Sequence, residues 1–278
     1  LKERTALHAL VSCAIDTRPA ILEERRMIDT YSLALATVAG LIGGAMNALA
    51  GGGTFATMPA LIALGLPSPQ ANATSNVALQ PGAMTAAWGF RSGLEPLGGV
   101  SIRTLSALTF AGGLVGSLLL VITPIRTFDV IIPWLLFVAF LAIAFGRQAA
   151  EVLRKRVVIG TMALVVAQSL LGLYGGYFGG GVGMMTTATY GLLAGLAPHR
   201  LMAARTLMLA IANTAAAAVF IGFGMVQWWV CLPMLVGAIV GGWLGAKVGK
   251  KLPPRMIRLW TLGVTAATTV IFFIRAYG

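Results

Sequence analysis

The sequence predicts an all-α, polytopic membrane bundle of two inverted repeats, about five segments each, on three observations. Mean hydropathy is +0.88, with 58% hydrophobic and only 10% charged residues, where soluble domains carry about 25% charged. The apolar residues form continuous runs rather than short alternating strands, which excludes an outer-membrane barrel. Two glycine-rich breaks, Gly51-Gly52-Gly53 and the stretch from Gly172 to Gly183, interrupt those runs at corresponding places.

The first 29 residues differ from the rest. They are mixed in charge and hold most of the carboxylates, and their apolar run, Ala6 to Ile15, is short and followed directly by Asp16. Met27 stands just before the first apolar run, so residues 1–29 are expected to be a leader or non-native extension, with Met27 as the working start.

From Thr30 the chain reads as ten apolar segments: Tyr31 to about Leu49, a short Thr54 to Leu66, Ala71 to Phe90, Thr104 to Ile122 and Phe128 to Phe145. A second series follows: Val157 to Tyr177, a short Met184 to Leu196, Leu201 to Phe223, Trp229 to Ala246 and Ile257 to Ile274. A full span needs roughly 20 residues, so the expectation is roughly eight to ten spans with short helices after the glycine breaks. The division is a first repeat over 30–146, a basic cytoplasmic connector over 147–156 and a second repeat over 157–278. GLIGG at 40–44 matches GLYGG at 172–176; each is followed by more glycine, a short apolar segment, Gly-Leu and a proline. Duplicated halves are common in transporters.

The formal charge of +12 does not point to nucleic acid, because the basic residues sit in short loops. If all ten segments cross, one set of loops holds Arg91, Arg103, Arg147, Arg154, Lys155, Arg156, Arg200, Arg205, Lys247, Lys250, Lys251, Arg255 and Arg258. The other set holds little beyond Arg126 and Arg275. The basic side is then cytoplasmic, and an odd number of crossings per half inverts the halves.

Several chemistries lack their residues. Past Asp29 the carboxylates are Glu95, Asp129 and Glu151, all in or near loops, which speaks against a buried cation site or a carboxylate proton relay. HExxH, GxSxG and a P-loop are missing, so neither a protease nor an ATPase is expected. Cys13 and Cys231 are too few for a disulfide framework or a metal site, and no cofactor is expected.

Inside the segments the polar groups are neutral, apart from Arg205 near a segment end. The candidate substrate-binding set is Asn47, Gly51, Gly52, Gly53, Thr54, Asn72, Asn76, Tyr174, Tyr177, Gly179, Gly180, Gly181, Arg205 and Asn213. Unwound backbone at membrane depth is tolerated where it faces protein or a wet cavity. Amide N–H groups, a guanidinium and two helix N-termini after glycine breaks favour a small anion. The competing structural readings are interhelical hydrogen bonding for the amides, close packing for the glycines at 172, 176 and 180, and snorkelling for Arg205. The expected partners are a small anionic substrate and membrane lipid, without nucleic acid; a homo-oligomer is compatible with all of this.

At these residues the sequence resembles the sulfite exporter TauE/SafE permeases. GLIGGAMNALAGGGTFATMPALIALGLPSPQANATSNVALQPG is similar to that family's amino-terminal signature, and GLYGGYFGGGVGMM with VGGWLGAKVGKKLPPRMIR to its carboxy-terminal half. The resemblance covers Tyr31 to Gly278. It implies a plasma-membrane permease for sulfite, sulfonates, thiosulfate or other small organic anions, with no substrate shared by all members. Relatives often carry Asn and Lys after the second Gly-Leu turn, where this chain has Met202 and Arg205: the positive charge is kept and an amide is lost. The alternative function is a non-transporting membrane scaffold or assembly protein.

Overall fold

The structure, a computed structural model, describes residues 30–154, 160–193, 200–249 and 253–278; the expected leader and working start lie outside them. Among the described residues there are ten α-helices and no strands: α1 (Thr30–Ala50), α2 (Thr54–Ala63), α3 (Ser68–Gly89), α4 (Ile102–Ile122), α5 (Ile125–Arg154), α6 (Thr161–Tyr177), α7 (Val182–Leu193), α8 (Met202–Gly222), α9 (Trp228–Gly249) and α10 (Pro254–Tyr277). α5 continues beyond its apolar part to Arg154, so most of the stretch expected as a connector is helical.

Among the described residues, six helices are long and apolar enough to cross a membrane: α1, α4, α5, α8, α9 and α10. The others depart for separate reasons. α3 has 22 residues but carries Asn72, Asn76 and Gln80, while α6 has only 17. With 10 and 12 residues, α2 and α7 extend about 15 and 18 Å at 1.5 Å per residue, well short of a hydrocarbon core of about 30 Å.

The two short helices turn back on their predecessors. A Cβ on Gly43 of α1 would meet Thr57 and Gly53, and one on Gly175 of α6 would meet Val182. The chain therefore reverses at each glycine break. The breaks are buried: residues 51–53 and 178–183 have no exposed member, whereas Gly65, beyond the far end of α2, is exposed.

Glycine seams set two helix pairs. A Cβ on Gly40 would lie 2.0 Å from the Met234 carbonyl oxygen, and one on Gly241 1.9 Å from that of Leu41. The rising order of these contacts makes α1 and α9 parallel. In the same way Gly172 faces the Thr109 carbonyl at 2.9 Å and Gly176 the Gly113 carbonyl at 2.0 Å, and α4 runs parallel to α6. Only glycine allows backbones this close, the small-xxx-small device of membrane helices. Gly172 and Gly176 thus belong to a helix seam, as the packing reading expects.

α3 and α8 form the centre. Nearly every residue from Ser68 to Gln80 is buried, and 72% of the α8 span is buried, against 28–39% for the other five candidate spans. The two helices are antiparallel, since Asn76 bonds Asn213 while Gln80 bonds Ala210. The outer helices α4, α5, α9 and α10 expose large apolar side chains such as Leu118, Val138, Val236 and Val270, as lipid-facing surfaces do. α5 and α10 are antiparallel: Trp134 donates to the Tyr277 hydroxyl at 2.9 Å, and at the other end Arg258 donates to the Ala144 carbonyl at 2.6 Å. This chain is a multi-pass membrane protein.

Candidate functional site

Each break begins with a glycine in the left-handed region, Gly51 at φ +74 and Gly179 at φ +75, a conformation other residues enter at a penalty of about 1–2 kcal/mol. Counted from the preceding Gly-Gly pairs, 44 to 51 is 7 residues and 176 to 179 is 3. The first half therefore carries about one extra helical turn before the same backbone reversal.

The breaks touch each other. A Cβ on Gly51 would stand 2.8 Å from the Gly183 Cα, and 3.5 Å from the Leu209 side chain. The Phe55 ring, one residue into α2, packs across to the second break: Cβ atoms on Gly180 and Gly181 would lie 3.0 and 2.9 Å from it, and one on Gly52 3.1 Å. The first break leaves α2 without a side-chain cap, with Gly53 as its N-cap.

Polar side chains close the openings left in the helices. Where α6 ends, the freed Tyr177 carbonyl accepts from Asn72 Nδ2 at 3.1 Å. The Tyr174 hydroxyl donates to the Gly180 carbonyl at 2.8 Å, with the Leu135 carbonyl at 3.3 Å, and so fastens the second break. The Tyr177 ring packs on Phe128 at 5.7 Å, its hydroxyl 3.4 Å from Thr123 Oγ1. Next to Gly179, Asn76 Nδ2 donates to Asn213 Oδ1 at 3.3 Å; a Cβ on Gly179 would lie 3.4 Å from that nitrogen and 3.9 Å from that oxygen. One turn on, Gln80 donates to the Ala210 carbonyl at 3.2 Å and to the Thr214 hydroxyl.

These bonds leave groups over. The carbonyl oxygens of Asn72, Asn76 and Gln80 and the Thr186 hydroxyl are buried without a hydrogen-bond partner among the described residues. Because Asn72 and Gln80 both donate to backbone carbonyls, their oxygens are the atoms left unpaired. Thr54 is buried at the start of α2, and Asn47 is half-buried with its Cβ 3.1 Å from where a Gly53 Cβ would be.

Arg205 is the charged member. It is 8% exposed, which does not fit a snorkelling side chain. Among the described residues its guanidinium makes no hydrogen bond, and no carboxylate lies within 4.0 Å. Arg205, Leu209 and Asn213 fall on one face of α8 at i, i+4 and i+8, so Arg205 lies about 12 Å along the axis from Asn213, with Leu209 between them against Gly51.

The structure thus brings together Gly51, Gly52, Gly53, Thr54, Asn47, Asn72, Asn76, Tyr174, Tyr177, Gly179, Gly180, Gly181 and Asn213, and places Arg205 two turns away. It adds Phe55, Gly183, Gln80 and Thr214. Gln80 was readable as the third amide in an i, i+4, i+8 row on α3. Nothing in the sequence marks Phe55, whose role depends on which glycines lie opposite it.

Residues 36–272 match the family described as sulfite exporter TauE/SafE. A probable membrane transporter protein of Haemophilus influenzae is 28% identical over 241 residues, covering 84% of this chain and 93% of that protein. The probable membrane transporter protein ORF9 of a Sinorhizobium species is 27% identical over 242 residues, covering 86% and 92%. The probable membrane transporter protein YfcA of Escherichia coli K12 is 26% identical over 253 residues, covering 91% and 93%. No solved structure matches significantly. A family match over residues 36–272, spanning both glycine breaks, places this chain among the sulfite exporter TauE/SafE membrane transporters.

Proposed function

We propose that this permease moves a small anion, a sulfur oxyanion, organosulfonate or carboxylate, across the plasma membrane by alternating access between inverted halves. The observation that carries the charge preference is Arg205: a buried guanidinium with no carboxylate beside it among the described residues. Its five donors then call for oxygens from elsewhere, and its planar fork suits the paired oxygens of sulfite, sulfonate or carboxylate. The uncapped start of α2 and the start of α7 add positive ends of helix dipoles beside the touching breaks.

In this reading Asn47, Thr54, Asn76, Asn213 and the backbone of Gly51–Gly53 and Gly179–Gly181 line the path, while Asn72, Tyr174 and Tyr177 hold the second break open. Inversion is supported by direction: α3 is antiparallel to α8 and α5 to α10, so these corresponding helices of the two halves point opposite ways. The basic end is assigned to the cytoplasm.

Flux in proteoliposomes over sulfite, thiosulfate, sulfoacetate and simple carboxylates tests this. Saturable uptake of at least one anion is expected. A well-inserted protein that moves none of them would favour the scaffold alternative.

A further inference from the structure

We propose that two side-chain pairs, Glu95 with Arg200 and Gln70 with Gln227, are the gates at the two ends of the transport path; this rests on the alternating-access reading above. Arg200 Nη2 lies 3.0 Å from Glu95 Oε2, and Gln227 Nε2 donates to Gln70 Oε1 at 3.3 Å. Both pairs cross from one half to the other, and both join the start of a central helix to the loop after its antiparallel partner. Arg200 stands two residues before α8 and Glu95 in the α3–α4 loop. Gln70 is in the first turn of α3, and Gln227 is the last residue of the α8–α9 loop. Exchanging the halves turns one pair into the other.

Their places along α3 and α8 fit the role. Because these helices are antiparallel, the start of each lies beside the end of the other, and the pairs close opposite ends. The Asn76–Asn213 bond lies between them. Neither pair contains a residue assigned to the central site.

The two ends are closed unequally. The Glu95–Arg200 pair is exposed, with side chains 65% and 53% accessible, and such solvated ion pairs are weak. It borders a cavity of about 330 Å³ lined by Phe90, Ser92, Gly93, Met202 and Ala203. At the other end the bond between the two glutamines is backed by the Gln227 backbone N–H donating to Thr74 Oγ1 at 3.0 Å, with Cys231 Sγ 3.8 Å from the Thr74 carbonyl. The basic end is therefore the one that opens first from this conformation, and an anion entering there meets Arg200 in competition with Glu95.

Gly93 and Ala203 provide the test. A Cβ on Gly93 would lie 3.4 Å from the Ala203 Cβ, near the lower limit of about 3.5 Å for disulfide-linked carbons. In full-length protein with Cys13→Ser and Cys231→Ser, Gly93→Cys with Ala203→Cys should cross-link on oxidation. Sulfite flux in proteoliposomes should then fall about tenfold or more and return on reduction, as for a gate that must open each cycle. Cross-linked protein that transports at the reduced rate, or cysteines that never cross-link, would overturn the first gate. For the second gate, Gln70→Ala and Gln227→Ala in a Cys13→Ser background should each speed labelling of Cys231 by an impermeant maleimide about fivefold, through a larger open population. The label is applied at the end opposite the basic loops; unchanged labelling would overturn this gate. If the reduced protein carries no anion, the transport reading fails, while cross-linking and labelling still decide whether these contacts close and open.

Discussion

Gly51 and Gly183 lie backbone to backbone: a Cβ on the first would stand 2.8 Å from the Cα of the second, and a Cβ on the second 2.9 Å from the Cα of the first. This is where the two glycine breaks meet. A side chain on either residue would push the two breaks apart at the point where the chain makes both its reversals.

Gly51→Ala is therefore expected to lose transport, because it combines left-handed strain of about 1–2 kcal/mol with overpacking of about 1–3 kcal/mol. Gly65→Ala separates the two effects. It has φ +90 but nothing within 4 Å of an added Cβ, so flux should be nearly normal. Equal flux curves for wild type and Gly51→Ala, at matched membrane abundance, would remove the breaks from the mechanism.

Asn76→Ala should destabilise the bundle by about 1–3 kcal/mol, since it leaves Asn213 buried without its donor. The double variant Asn76→Ala, Asn213→Ala should be less destabilised than the sum of the singles. Thermal unfolding in detergent reads the first effect and the coupling; additive losses would mean that the two amides act separately.

Arg205→Gln should raise the substrate concentration for half-maximal flux by about tenfold or more, equivalent to roughly 1.4 kcal/mol. Arg205→Lys should fall between, keeping charge and losing the fork. Identical concentration dependence in all three proteins would assign the residue a packing role and leave the amides near Asn47 and Asn76 as the remaining candidates.

The proposed topology rests on charge and is constrained by the Arg258–Ala144 contact at one end of α5 and α10. Single cysteines at Gln148 and Arg255 should react with an impermeant reagent from one side, the cytoplasmic one, and a cysteine at the exposed Arg126 from the other. Gln148 and Arg255 reacting from opposite sides would overturn the proposed inverted five-plus-five arrangement.

The sequence by itself determined that this is a helical membrane protein, where its helices reverse, and which family signature it carries. Those properties follow from local composition: apolar runs of span length, glycine where φ turns positive at Gly51 and Gly179, and basic residues collected in alternate loops. Helix ends moved by a few residues, as at Ile102 and Ser68, because hydropathy does not register polar first turns. Partnership was decided only by the tertiary structure. Asn72 and Asn76 are equivalent amides one turn apart on α3, yet one caps the end of α6 and the other pairs with Asn213. Likewise Gly176 and Gly179 differ in kind, one giving a helix seam and the other the reversal. A residue's role in a membrane bundle is set by the group opposite it, here 63 to 137 residues away in the chain, and no local pattern carries that distance.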